Sequence, residues 1–312
     1  MVVETARVAY VFPGQGSQWA GMGRDLYDNF DSSREVFEEA DEALGFPLSR
    51  LCFDGPGDEL RQTINAQPAV VTVSYACLKA VLSSAAGNGG FPPPAFVAGH
   101  SLGEYTALAA AGVLDFAATV SLARERGRLM HEAGQIKPGG MVAIIGLDEE
   151  VLAGVCTETG TWIANINCPG QIVISGARKD LPRASELAKA RGARRTISLE
   201  VSGAFHTPLM EPAVKGMAEI IAALSFHEPL VPIVGNTTAR PLSTAELIKE
   251  ELLAQLDSCV QWQRSVAYMT ANGVDTFVEI GPGKVLSGLI RRIDRGVRLM
   301  NIEDAEAIKE SG

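Results

Sequence analysis

No two of the five cysteines, Cys52, Cys77, Cys156, Cys168 and Cys259, stand at C-x-x-C spacing, and no Cys/His cluster accompanies them. The zinc and disulfide patterns are therefore missing, and the thiols read as free groups in a reducing compartment. An excess of positive charge is missing too. Lys and Arg number 27 against 37 Asp and Glu, a net charge of −10, which argues against nucleic acid or anionic lipid as the main partner. The opening segment MVVETARVAYVFPGQG lacks a basic stretch and a long apolar core, so it does not read as a signal peptide. Uninterrupted apolar stretches such as LAAAGVL are too short for a bilayer, and the cytoplasm is the expected location. Nucleotide motifs fail as well. In GQGSQWAGMG a dinucleotide fingerprint would need glycine where Trp19 stands, and EIGPGKVLSG lacks phosphate-loop spacing. There is no internal repeat and no low-complexity segment.

What is present is a 312-residue chain, 46% hydrophobic and 21% charged, with an ordinary globular α/β composition. ARVAYVF (6–12) reads as a buried strand ending at Pro13. Ser32 and Glu35 carry a capping pattern ahead of a helix, and QPAVVTVSYACLKAVLSSA (67–85) is apolar on most faces, a buried helix. After a loop at 87–94 come the strand AFVAG, the helix LGEYTALAAAG and a second helix over DFAATVSLARERGRLMHEAG. From about 139 to 202 the rhythm changes to strand, helix, two strands, helix, strand, a βαββαβ order that suggests a small ferredoxin-like domain inserted at 137–203. The remainder, 1–136 and 204–312, forms the large domain. It continues with a helix (208–223), a strand (231–235), a helix capped by Ser243 and Glu246, a helix (261–272), the strand DTFVEI and a final helix after GPGK. Strands alternating with helices imply a mostly parallel sheet covered on both faces.

The chemistry concentrates on GHSLGE, in which Ser101 lies between Gly99 and Gly103, after a strand and before a helix. A sharp strand-to-helix turn exposes a serine there, and the helix start offers unpaired N–H groups to an oxyanion. The competing reading is a structural turn with an incidental serine. A nucleophilic serine needs a base. His100 is its chain neighbour and points elsewhere, His131 ends a helix, and His227 sits in a loop beside Glu228. His206, in SGAFHTPLM just after the last strand of the inserted domain, is the best candidate. Gly14 and Gly16 let backbone approach a ligand, as a second oxyanion donor would require.

FPGQGSQ (12–18), GHSLGE (99–104), RERGRLM (124–130), SGAFHTPLM (202–210) and VEIGPGKVLSGL (278–289) together resemble the malonyl-CoA:acyl carrier protein transacylase family, the acyltransferases of fatty acid and polyketide synthesis. The resemblance runs from about residue 7 to 303 and implies an α/β-hydrolase-like large domain with an inserted ferredoxin-like one. It implies that Ser101 is the nucleophile and His206 the general base, that the backbone carbonyl of Gln255 orients the histidine, and that the amides of Gln15 and Leu102 form the oxyanion hole. Arg126 matches the arginine that holds the substrate carboxylate, a task suited to a guanidinium's two parallel donors. Without the resemblance, Arg126 would pass for a solvated helix charge, as Arg124 and Arg128 are expected to be. Phe205 accompanies malonyl selection in modular relatives, and Asn165 and Asn167 face the cleft as candidate substrate contacts. Ala204 replaces the commoner proline.

The implied reaction moves malonyl from malonyl-CoA to acyl carrier protein through malonyl-Ser101, with no cofactor or metal. A polyketide acyltransferase and a serine thioesterase or esterase on the same fold are the alternatives. The Asp-Gly motif of lipid acylhydrolases has only DGPG at Asp54 to represent it, too early in the chain. A non-catalytic carrier-binding scaffold would be expected to lack Ser, His or Arg. A stand-alone chain favours a dissociated fatty acid system, and a monomer is expected. Because carrier proteins are acidic, a local basic face is expected, with Lys189, Arg191, Arg194 and Arg195 as first candidates and Lys284 and Arg291 as rivals.

Overall fold

The computed structural model describes residues 6–85 and 90–311. Its strands are β1 (Val8–Phe12), β2 (Pro94–Gly99), β3 (Gly139–Ile145), β4 (Trp162–Cys168), β5 (Gln171–Ala177), β6 (Arg195–Ser198), β7 (Ile233–Val234), β8 (Pro241–Leu242), β9 (Thr276–Ile280) and β10 (Arg298–Ile302). They form a six-stranded sheet of order β10-β9-β1-β2-β7-β8, parallel except for the edge strand β8, and a fully antiparallel sheet of order β4-β5-β3-β6. The fold is thus α/β with a mostly parallel sheet and a second, antiparallel one.

Strands β1 and β9 are buried along their whole length, as central parallel strands must be when both sheet faces are covered. Their residues alternate between two cores. Val8, Tyr10 and Phe12 face the helices Thr63–Ala85, Gly103–Ala110 and Phe116–Ile136. Ala9 and Val11 face Trp262, Val266 and Met269 of the helix Trp262–Ala271 and Leu286 and Ile290 of the helix Val285–Ile293. The antiparallel sheet buries Val142, Ile144, Ile172 and Ile174 under the helices Glu149–Thr159 and Leu181–Ala190. Its other face contributes Met141, Ala143 and Val173 to the large core. The two sheets are joined where Val260 hydrogen-bonds along β4 to Ala164 and Ile166.

Several expectations shift. The helix at 67–85 begins earlier, at Thr63, so Pro68 is interior. Proline leaves the carbonyl four residues back without its helical donor; Arg124 Nη1 reaches that oxygen, Ile64 O, at 3.4 Å. This helix is long and apolar enough to cross a membrane, contrary to the reading of short apolar stretches, but 72% of its most apolar window is buried inside the protein. Ser32 does not cap the helix Asp31–Leu44, whose N-cap position is Phe30 without a side-chain bond. Thr244 rather than Ser243 caps the helix Ala245–Asp257, accepting from Leu247 N. Strand β6 stops at Ser198 instead of running to 202, because the chain leaves the sheet to carry 202–206 into the cleft. Beyond the expected last helix lie β10 and the helix Ala305–Ser311. Of the loop at 87–94, residues 87–89 lie outside the described residues, and Pro94 already begins β2.

Candidate active site

The site lies at the C-terminal edge of the parallel sheet, where α/β folds expose their loops. Register pairs Phe12 with Gly99, so the turn after β1 and the turn after β2 leave the sheet side by side. Between β2 and the helix Gly103–Ala110 the chain folds back very tightly. A Cβ on Gly99 would stand 1.9 Å from the Gly103 carbonyl carbon, and one on Gly103 would stand 2.0 Å from Phe12 O. Only hydrogen fits at either place, which explains the two glycines two residues either side of Ser101. Ser101 itself has φ 51, a left-handed conformation that is unfavourable for a serine. His206, at φ 60, shares this property. Such strain persists only where the surroundings enforce it, and it concentrates at working sites.

These two residues, 105 positions apart, meet: Ser101 Oγ is 2.8 Å from His206 Nε2. His206 Nδ1 is 2.7 Å from Gln255 O, which can only accept, so Nδ1 carries the proton and Nε2 is free to accept from the serine hydroxyl. Burial, and then the neighbouring Arg126 charge, lower the His206 pKa to about 3, against the opposing pull of the Gln255 carbonyl. The imidazole is therefore neutral at ordinary pH, the form a general base needs.

Arg126 is carried by the apolar stripe of the helix Phe116–Ile136, with Leu122, Ala123, Gly127 and Met130, which turns it inward and leaves it 1% exposed. Its Nη2 donates to Ser101 Oγ at 3.1 Å and to Gln255 Oε1 at 2.7 Å; Nη1 donates to Gln67 Oε1 at 2.9 Å. Nε is buried without a partner, and the guanidinium lies over the Tyr105 ring at 5.2 Å. Among the described residues Arg126 has no ion-pair partner, so its charge is met by neutral oxygens. Its neighbours differ. Arg128 points outward and pairs with Glu125 and Glu132, as expected. Arg124 is not simply solvated: it binds Asn65 Oδ1 at 2.7 Å and covers the Phe46 ring.

A cavity of about 130 Å³ is lined by Gln15, Ser101, Arg126, Asn165, Phe205 and His206, among others. A second, of about 230 Å³, shares Gln15, His100 and Asn165 with it and continues past Asn167 towards Val285. The backbone N–H groups of Gln15 and Leu102 have no protein acceptor among the described residues. Asn165 Oδ1 is buried and unpartnered, whereas Asn167 Oδ1 is already bonded to His100 Nε2 at 2.8 Å. His100 thus points away from His206, towards Asn167 and Trp262. His131 contacts Gln135 on a helix that continues to Ile136, and His227 is exposed. A larger cavity, about 530 Å³, lies beneath the helix Leu181–Ala190 and does not include Ser101, His206 or Arg126. Four further contributors were not legible: Gln67, Glu104, Asn236 and the Gln255 side chain. Of these only Glu104 sits in a recognisable motif, GHSLGE, and nothing in the sequence brings Gln67 or Asn236 near it.

The acyl transferase domain family matches residues 9–308. The malonyl CoA-acyl carrier protein transacylase of Bacillus subtilis is 46% identical over 309 residues, covering 97% of this chain and 96% of that protein. An acyl-carrier-protein-S-malonyltransferase structure from Bartonella henselae superposes with a TM-score of 0.93 at 41% identity, covering 98% of each chain. A malonyl-transacylase solved in complex with its type II PKS acyl-carrier protein gives 0.92 at 39% identity, over 98% of this chain and 99% of that one. With its whole length matched at this identity, the chain belongs to the acyl transferase family, among the malonyl CoA-acyl carrier protein transacylases.

Proposed function

We propose that the protein transfers malonyl from malonyl-CoA to the phosphopantetheine thiol of acyl carrier protein by a ping-pong route, supplying extender units for fatty acid synthesis. The observation that carries this reading is Arg126, a buried cation with no direct ion-pair partner among the described residues, bonded to the same Oγ that His206 is placed to deprotonate. A buried charge is costly unless paired, and a carboxylated acyl group supplies the missing anion beside the nucleophile. His206 Nε2 takes the Ser101 proton as Oγ attacks the thioester carbonyl. The oxyanion faces the Gln15 and Leu102 amides. The C–S bond breaks, coenzyme A leaves with the proton from Nε2, and malonyl-Ser101 remains. The carrier thiol then gives its proton to Nε2 and attacks the ester carbonyl; the C–O bond to Ser101 breaks, Oγ takes the proton back from Nε2, and malonyl leaves on the carrier sulfur. Phe205 limits the room for a branch on the acyl group, and Asn165 offers its unpartnered oxygen to a substrate N–H. Asn167 acts through His100. Nucleophile, base and charge are all supplied by side chains, so the route uses neither metal nor cofactor.

The large unit (1–136 and 204–312) is read as α/β-hydrolase-like and 137–203 as a ferredoxin-like insertion, supported by the strand order β4-β5-β3-β6 around two helices. A monomer in the cytoplasm is proposed, and the net charge of −10 supports the reading without nucleic acid or anionic membrane as partner. The test is intact mass spectrometry after mixing with malonyl-, methylmalonyl- and acetyl-CoA. A malonyl adduct that disappears in Ser101→Ala is expected; no adduct on the wild type refutes the mechanism. A polyketide pathway would use identical chemistry, and comparing carrier proteins of the two kinds as acceptors decides between them.

A further inference from the structure

Behind the serine, histidine and arginine lies a buried carboxylate. Glu104, in the first turn of the helix Gly103–Ala110, is 1% exposed. Its Oε1 accepts from Asn236 N at 3.0 Å and from Asn236 Nδ2 at 3.2 Å, and its Oε2 accepts from Gln255 Nε2. Those two residues reach every working part of the site. Asn236 Oδ1 accepts from the strained Ser101 N–H at 2.6 Å, and Asn236 Nδ2 also donates to Gly99 O at 2.7 Å. Gln255 Nε2 donates to Ser101 O at 2.9 Å, Gln255 Oε1 takes Arg126 Nη2 at 2.7 Å, and the Gln255 backbone oxygen takes His206 Nδ1.

Every hydrogen bond to the carboxylate comes from an N–H donor, and these bonds favour the anion against burial and the nearby Glu251 carboxyl, which push the Glu104 pKa up. The bonds also fix which way each amide points. With Nε2 turned to Glu104, the only place left for Gln255 Oε1 is against Arg126. We propose that Glu104 is a positioning residue for acyl transfer: through Gln255 it sets the orientation of Arg126, and through Asn236 it holds the Ser101 elbow. This rests on the reading of Ser101, His206 and Arg126 given above. An uncharged amide at 104 has one oxygen for two sets of donors. It must turn an NH2 towards either Asn236 or Gln255, and a donor facing a donor releases one of them.

The experiment compares Glu104→Gln with Glu251→Gln. Glu251 is also buried, at 3% exposure; its oxygens hold Thr237 and lie near the Asn236 amide and Glu104, but they make no hydrogen bond to Ser101, Arg126, His206 or Gln255, so the route to Arg126 does not pass through it. Formation of acyl-Ser101 is followed with malonyl-CoA and acetyl-CoA, alongside Tm. For Glu104→Gln, kcat/KM with malonyl-CoA is expected to fall on the order of 10- to 100-fold. The loss falls largely in KM for malonyl-CoA, with a matching loss of preference over acetyl-CoA. Glu251→Gln is expected to lower Tm while keeping that preference. Gln255→Met, which retains the backbone carbonyl on His206, is expected to lose the same preference. In the double variant Glu104→Gln/Gln255→Met the acyl preference is expected to be no lower than in Gln255→Met alone, since Glu104 reaches Arg126 only through Gln255. A Glu104→Gln protein with lowered Tm but wild-type acyl preference, or additive losses of preference in the double variant, overturns the proposal. Should Glu104→Gln not fold, Glu104→Asp takes its place: its shorter reach must also lower the preference, and an unchanged preference overturns the proposal. A wild type that forms no malonyl adduct refutes the mechanism itself, a different outcome from an intact wild type with an unaffected variant.

Discussion

Arg126 is a cation held by amides. Gln67 and Gln255 hold its donors in place without neutralising them, the arrangement on which the proposed carboxylate role rests. Arg126→Ala is expected to lower malonyl transfer by on the order of 100-fold while acetyl transfer changes little, the pattern of a lost charged hydrogen-bond pair. Competing the two thioesters in one reaction measures it, and an unchanged ratio contradicts the carboxylate role. For His206 the proton balance can be signed. The unfolded chain binds a proton here below pH 6.5, the folded chain only below about 3. In that window the unfolded state holds more protons, so this histidine costs stability increasingly as pH falls. Wild type should lose stability relative to His206→Gln from pH 6.5 downwards, and the gap should be constant above it. Denaturant titrations of both proteins across pH 4 to 8 check this. The same displacement predicts that the His206 ring resonances do not titrate between pH 5 and 8 in NMR spectra of the free enzyme.

At the scale of elements, the strand–elbow–helix unit is the part most tightly constrained by its own sequence. Gly99 and Gly103 are required by backbone atoms 1.9 and 2.0 Å from where a Cβ would sit. Gly103→Ala should therefore destabilise by at least about 3 kcal/mol, the upper range of overpacking, and abolish serine acylation. Thermal melts and adduct formation measure the two effects separately. Long periodic segments were legible for the same local reasons: the helix Phe116–Ile136 and the strands β1, β2, β3 and β5 follow from apolar spacing alone. Helix starts were less legible. Ser32 and Ser243 carry the right side chain but miss the N-cap position, Ser32 lying inside the first turn and Ser243 one residue before Thr244, since the bond from Ser33 Oγ to Ala76 O and the bond from Leu247 N to Thr244 set the register instead. The short edge strand β10, whose first four residues alternate between exposed and half-buried and of which only Ile302 is buried, has too little apolar pattern to separate it from a loop.

For the whole molecule, electrostatics poses the remaining question of how a protein of net charge −10 receives an acidic carrier. Arg191 is paired with Glu158 and Lys284 with Glu303. Lys189, Arg194 and Arg195 have no ion-pair partner among the described residues and belong to the small antiparallel unit. Reversing Arg194 and Arg195 to Glu should raise the carrier-protein KM several-fold at low salt, less at high salt, and leave malonyl-CoA acylation nearly unchanged. A carrier KM insensitive to the reversal moves docking to the face of Lys284 and Arg291.

The elbow around Ser101, the alternation of strands and helices, and the βαββαβ order of 139–198 are written in local sequence. These depend on glycine positions and apolar periods within a few residues of one another. What surrounds the serine depends on long-range packing. Gln67, Asn236 and the Gln255 side chain come from three separate elements, and their polar groups matter because burial leaves them no other partners. Arg126, 25 residues beyond the serine, is a buried site cation rather than a surface charge for the same reason: folding removes it from water and sets it against Ser101 Oγ.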